Sequence, residues 1–300
     1  MKIGYPCINL SLNCRSSRTF WLKNYSEKKL IETIENNLNC LKTILEFNCH
    51  NGILFFRITS DLIPFASHHI MTFNWQDYFK SKFKEIGLYF RKKSIRITMH
   101  PGQYTVLNSK NEKIVENSIK ELKYHTKILE LLGLDSTVKI ITHVGGVYGD
   151  KKNSIKRYIE RYKELSENLK KHYVIENDDK SYSLNDTLLI NASTEILIIL
   201  DLYHHNCNNL GESIEEAIEK AFKVWKEKDG LPIIHYSSEH PIKGKCKHAE
   251  EIDLNHFITF LKRTNKHNFD IMLEIKNKEK SALIAMKSLM KDIRFNKNKI

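Results

Sequence analysis

Short apolar runs, separated by segments of helical spacing, recur from one end of this chain to the other, and that alternation limits the fold more than any other feature. The runs are Lys2 to Tyr5, Leu54 to Ile58, Ile95 to Met99, Lys139 to Thr142, Val174-Ile175, Ile196 to Leu200, Ile233-Ile234 and Ile271 to Leu273. Runs this short and this rich in isoleucine and valine suit strands covered on both faces, as in parallel sheets. Between them apolar residues return every three or four positions. Ser26 can cap a helix carrying Leu30, Ile34, Leu38, Leu41 and Leu45, and Ser154 precedes Ile155, Tyr158, Ile159, Tyr162 and Leu165. The same spacing predicts helices over Trp75 to Phe90, Lys113 to Leu132, Ser183 to Asn191, Ser213 to Trp225, Asp253 to Arg263 and Lys278 to Ile293. Eight strand and helix units in series predict an α/β chain folded as one TIM (β/α)8 barrel over residues 1–295, with 296–300 a frayed basic tail. An open doubly wound sheet is the alternative. It would normally carry a glycine-rich phosphate turn after its first strand, where this chain has Tyr5-Pro-Cys-Ile-Asn9.

The residues that end each run matter as much as the run itself. His100, His143, Glu176, Asp201, His204, His235 and Glu274 stand at or just past the points where strands hand over to loops. In a barrel of parallel strands those points converge on one face, the face on which active sites of this fold are built. His68, after the second run, and His248, in the long loop after the seventh, can join them. Nine candidate ligands exceed the needs of one ion, so at least two ions are expected, with room for a third. Imidazoles mixed with carboxylates and without thiolates suit manganese, zinc, iron or magnesium. Clustered divalent ions can stabilise both the attacking and the leaving oxygen of an in-line displacement, which favours phosphodiester hydrolysis.

The other histidines, His50, His125, His172, His240, His256 and His267, fall mostly on helices or at their ends and read as structural. His204 is preferred over His205 because an aspartate and a histidine three positions on can reach one ion. His68 over His69 is the weaker of the two choices.

The formal net charge of +12 favours a polyanionic partner through counterion release. Basic residues fall on both ends of the barrel, however: Arg91-Lys-Lys93 and Lys170-Lys171 precede strands, while Lys110, Lys151-Lys152, Lys243, Lys245 and Lys247 lie in loops of the predicted active face. No apolar run approaches the ~20 residues needed to span a bilayer, and no signal peptide is evident. The six cysteines form no C-x-x-C pair, so free thiols in a reducing cytoplasm are expected.

Six ordered motifs, His100-Pro-Gly-Gln-Tyr104, His143-Val-Gly-Gly146, Glu176-Asn-Asp178, Asp201-Leu-Tyr-His204-His205, Pro232-Ile-Ile-His235-Tyr-Ser237 and Met272-Leu-Glu274-Ile-Lys276, resemble those of the UV damage endonuclease family. The resemblance runs from Gly4-Tyr5 through Ser60-Asp61-Leu62 and Ser67-His68 to Lys276. It implies up to three divalent ions, commonly manganese, with zinc or magnesium as alternatives. It also implies incision of damaged double-stranded DNA immediately 5′ to cyclobutane pyrimidine dimers and 6-4 photoproducts, with no nucleotide cofactor. Carried over by motif, the nine residues become metal ligands, with Glu176, Glu274 and His235 catalytic through the cluster. Gln103 and Tyr104 resemble a pair that probes the duplex, and Tyr5 and Asn9 resemble lesion-pocket residues. One departure stands out: the family usually has a lysine that can be carboxylated two residues before the strand-7 histidine, and this chain has Ile233 there. A monomer is the simplest expectation. The competing readings are an abasic-site endonuclease on the same barrel, a metal-dependent sugar isomerase, and a nucleic-acid binding protein with structural metals.

Overall fold

The computed structural model describes residues 1–239, 246–290 and 292–296. His240, Lys243 and Lys245, named among the histidines and lysines of the sequence, lie outside the described residues, as do positions 297–300 of the expected tail. Asn296 itself ends a short helix.

Eight parallel strands close a barrel in chain order. They are β1 (Ile3–Pro6), β2 (Phe55–Ile58), β3 (Arg96–Met99), β4 (Lys139–His143), β5 (Tyr173–Glu176), β6 (Leu197–Asp201), β7 (Ile233–Tyr236) and β8 (Asp270–Leu273). The helices around them are α1 (Glu27–His50), α2 (Trp75–Tyr78), α3 (Lys80–Lys92), α4 (Glu112–Leu131), α5 (Lys151–Lys163), α6 (Glu167–Lys170), α7 (Leu184–Thr194), α8 (Leu202–Cys207), α9 (Ile214–Phe222), α10 (Leu254–Arg263), α11 (Glu279–Leu289) and α12 (Ile293–Asn296).

Local chemistry sets most boundaries. Ser26 accepts from the Lys29 amide to start α1, and the side chains of Ser183 and Ser213 form reciprocal caps with Asp186 and Glu216. The helix expected over Trp75 to Phe90 is interrupted: Phe79, at φ −96° and ψ 7°, leaves helical geometry and splits it into α2 and α3.

The barrel interior is stratified. At the N-terminal end Arg96 pairs with Asp270 at 2.7 Å and Lys139 with Asp229 at 2.8 Å. Above them lies an apolar layer of Phe55, Ile141, Val174, Leu197, Ile199, Ile233 and Met272. Strand register then aligns the opposite end, with His143 beside Glu176 and Asp201 beside His235 as direct cross-strand partners. Ile233, two residues before His235, packs in the apolar layer.

The cysteines depart from the expectation of free thiols. Cys14 is joined to Cys40 and Cys207 to Cys246, while Cys7 and Cys49 are free. Separations of 26 and 39 residues hide both pairs from a reading by spacing, because only the closed fold brings their Cα atoms to 5.7 and 6.0 Å. Among the described residues no helix is long and apolar enough to cross a membrane.

Candidate metal centre

Glu176 ends β5 with its side chain at the centre of the C-terminal mouth. One carboxylate oxygen, Oε1, lies 2.8 Å from His100 Nε2 and 3.1 Å from His143 Nε2; the other, Oε2, lies 2.5 Å from His235 Nδ1. His235 Nδ1 is also 3.4 Å from Glu274 Oε1 and 3.9 Å from Asp201 Oδ2. Two sets therefore have ligand atoms within 4.8 Å of one another: His100, His143 and Glu176, and Glu176, Asp201 and His235. Glu176 belongs to both, as a bridging carboxylate would.

His204 sits 3.5 Å from Asp201, and its ring lies 5.6 Å from that of His143 and 6.1 Å from that of His248. His205 turns away, donating to the Glu212 carbonyl. Outside this cluster His125 and His172 are buried and donate to the Glu121 and Val138 carbonyls, as structural histidines do.

The residues present fit a divalent ion. His235 Nδ1 and Glu176 Oε2 lie 2.5 Å apart, and both are buried without a regular hydrogen bond among the described residues. Two ligand atoms that converge without a regular hydrogen bond leave a place for a cation. Neighbouring groups hold the rings in position. His100 Nδ1 donates to the Pro101 carbonyl, leaving Nε2 to face Glu176. Asn177 bonds both the amide and the carbonyl of Asp201 and offers its own carbonyl to His204 Nδ1. His248 Nδ1 is 2.9 Å from Ser237 Oγ.

The electrostatics follow from crowding. Burial alone would raise the Glu176 carboxyl, but His143 and His235, with the hydrogen bond from His100, hold it well below the usual carboxylate range. Burial pushes Asp201 up, and the charges of Glu274 and Glu176 add to that against the opposing pull of His204. For His204 burial works downward, yet Asp201, Glu176 and Glu274 raise it to about 9.

Reasoning from the sequence missed Arg57. Its buried guanidinium lies 2.6 Å from Glu274 Oε1 and 2.9 Å from His235 Nε2. The signal was available: an arginine inside the apolar run Phe55-Phe-Arg-Ile58, on the same inward side as Phe55. Asn177 and Ser237 carried no comparable signal.

Not every expected residue joins the cluster. His68 lies apart, its Nδ1 accepting from the Ile70 amide and its ring 4.1 Å from that of His69. Both line a neighbouring cavity with Tyr104 and Glu121. Tyr5 and Asn9, expected to meet a lesion, are buried instead: Tyr5 donates to Asn48 and accepts from Asn9, so in this conformation neither offers surface to a ligand. The cause is strand geometry, which turns Tyr5 outward from the barrel onto the covering helix α1. Gln103 and Tyr104 are exposed on the turn after β3. The Tyr104 ring occupies the place a Cβ on Gly102 would need, so the turn requires glycine there.

Comparison with known proteins identifies a family. The sequence model described as UV-endonuclease UvdE matches residues 1–299. A protein of Clostridium perfringens named UV DNA damage endonuclease is 41% identical over 291 residues, covering 96% of this chain and 71% of its own length. A crystal structure of SacUVDE superposes with a TM-score of 0.92 at 43% identity, covering 97% of this chain and 98% of that one. Endonuclease IV from Thermus thermophilus shares the fold alone, with a TM-score of 0.62 at 13% identity over 97% of this chain and 99% of that one.

Proposed function

This chain belongs to the UV-endonuclease UvdE family, and from that premise we propose that it hydrolyses one phosphodiester of duplex DNA on the 5′ side of cyclobutane pyrimidine dimers and 6-4 photoproducts. The observation that carries the reading is the meeting of His100, His143 and His235 on the two oxygens of one buried carboxylate, Glu176.

In this reading His68, His100, His143, Glu176, Asp201, His204, His235, His248 and Glu274 hold two or three divalent ions, with manganese ahead of zinc and magnesium. His68 would need to turn from its bond with the Ile70 amide to take part. Bound ions would supply the charge that stabilises the attacking and leaving oxygens and would make water a nucleophile near neutral pH. The protein's own part is positional. Glu176 spans the two ligand sets, Arg57 orients Glu274, and the apolar layer beneath excludes water from below. Gln103 and Tyr104 project from the Pro-Gly turn into the space vacated when a lesion leaves the stack. Extruding a damaged dinucleotide costs less than extruding an intact one because its stacking is already weak. No nucleotide cofactor is required, a monomer suffices, and the reaction belongs in the cytoplasm.

The test is incision of a duplex carrying one photoproduct, with manganese present, beside undamaged and abasic duplexes. We expect a single nick 5′ to the lesion, leaving a 3′-hydroxyl and a 5′-phosphate. Equal cutting of the undamaged duplex would sink the reading, and cutting confined to abasic DNA would replace it with the abasic-site alternative. A second measurement separates recognition from chemistry. The Gln103→Ala/Tyr104→Ala variant should lose about 10-fold or more in binding on a paired substrate and less on a bubble, with metal content unchanged.

A further inference from the structure

The loop after β4 carries a second exposed aromatic beside the metal centre, one that the proposed reaction leaves unused. Tyr148 has φ 53°, in the left-handed region that residues with a side chain seldom adopt. Its ring lies over Gly146, where a Cβ would come within 2.7 Å of its Cζ, so the glycine provides a flat bed for it. The residue is 40% exposed, with Lys110 Nζ 5.9 Å and the Arg157 guanidinium 5.6 Å from its ring centroid. Arg157 is held from within by the Asn108 carbonyl and Ser154 Oγ. Lys110 is exposed and also donates to the Tyr148 carbonyl.

The same ring forms one wall of a cavity of about 340 Å³ whose other walls include His100, His143, Gln103 and Gly145. The cavity thus runs from an aromatic face between two cations to the two imidazoles that meet Glu176 Oε1. Its volume, at the small end of ligand sites, suits a single nucleotide. Aromatic faces stack on bases irrespective of sequence, and lysines beside them take the phosphate.

Resting on the proposed DNA hydrolysis, we propose that Tyr148 and Lys110 form a seat for one nucleotide of the cut strand, on the His100 and His143 side of the centre. The ring stacks on the base or sugar, and Lys110 neutralises the adjoining phosphate. Tyr148 is thereby a substrate-binding residue distinct from Gln103 and Tyr104, which would occupy the gap left by the lesion.

The experiment compares wild type with Tyr148→Leu, Tyr148→Phe and Lys110→Gln on a photoproduct duplex, following affinity by anisotropy, incision kinetics, metal content and thermal unfolding. Tyr148→Leu should raise KM about 10-fold while kcat and metal content hold, and Tyr148→Phe, which keeps the ring, should restore wild-type KM. Lys110→Gln should reduce the slope of log affinity against log salt by about 0.9, one phosphate's worth. Unchanged affinity in Tyr148→Leu, a loss that Tyr148→Phe shares, or a fall in metal content would each overturn the proposal. Binding is read separately from cutting, so a wild type that binds but never nicks would strike the proposed reaction and leave the seat to be judged on affinity and salt slope.

Discussion

At the N-terminal end of the barrel each buried charge meets an opposite one; at the C-terminal end three carboxylates share a small space with imidazoles and a single guanidinium. In the lower layer Arg96 faces Asp270, Lys139 faces Asp229, and both cations lie near the Trp225 ring, at 5.7 and 5.8 Å. In the upper layer Arg57 contacts Glu274 and His204 sits beside Asp201, while atoms of Glu176 and His235 remain unpartnered among the described residues. Both ends bury ionisable groups, which is costly unless they are paired. The lower end meets that requirement internally. The upper end does so in part, through Arg57 and the imidazoles, and leaves ligand atoms of Glu176 and His235 for cations from outside, which is the physical difference between a structural plug and a binding site.

The sharpest way to break this comparison is to remove a lower charge. Lys139→Met leaves Asp229 buried and uncompensated, which should destabilise the protein by about 3–5 kcal/mol in denaturant unfolding. Incision per folded molecule should not change. The Lys139→Met/Asp229→Leu double variant should recover most of the loss; if it does not, the layer does more than pair charges.

Removing an upper charge should do the reverse. Glu176→Gln takes away the carboxylate common to both ligand sets, so incision should fall at least ~100-fold and metal content with it, while the circular dichroism spectrum is retained. Full metal content with normal cutting would mean that the convergence on Glu176 is incidental.

Arg57→Met tests the guanidinium of the upper layer. With Glu274 and His235 no longer held, metal affinity should fall by roughly 10–100-fold, the usual effect of losing a group that orients a ligand. The defect should shrink as manganese is raised. Metal titration followed by elemental analysis decides it; tighter binding would show that Arg57 competes with an ion instead of positioning its ligand.

The smallest effect concerns Asp201 in chelator-treated protein. Burial and the Glu274 and Glu176 charges raise its carboxyl in the folded state, so the folded protein holds that proton more tightly than the unfolded chain does. Stability from this group is present at low pH and is lost as pH rises through the folded value, leaving the ionised form unfavourable at neutrality. Asp201→Asn should therefore melt slightly higher than wild type at pH 7 without metal, with the gap closing towards acid pH. A lower melting point at neutral pH would argue that Asp201 is already compensated.

Much of this was legible in the chain. Strand ends announced themselves because an apolar run broke at His100, His143, Glu176, Asp201, His235 or Glu274, and barrel topology sends all such ends to one face. Arg57 was equally visible and was passed over because an arginine within a strand reads as an exposed residue until the strand is known to point it inward. The resemblance that makes Tyr5 a lesion-pocket residue carries no sign of its hydrogen-bond partner Asn48, which comes from α1, 43 residues away.

The sequence by itself determined the order of strands and helices and the residues at each strand's end, because those depend on periods of two and 3.6 residues that neighbouring positions express. Only the tertiary structure decided which ends touch. Glu176 meets three histidines and His68 meets none of them, Cys207 reaches Cys246, and Tyr148 lies over Gly146 between two cations. Those contacts are set by the closure and register of the barrel, which bring distant positions within a few ångströms and leave no trace in local spacing.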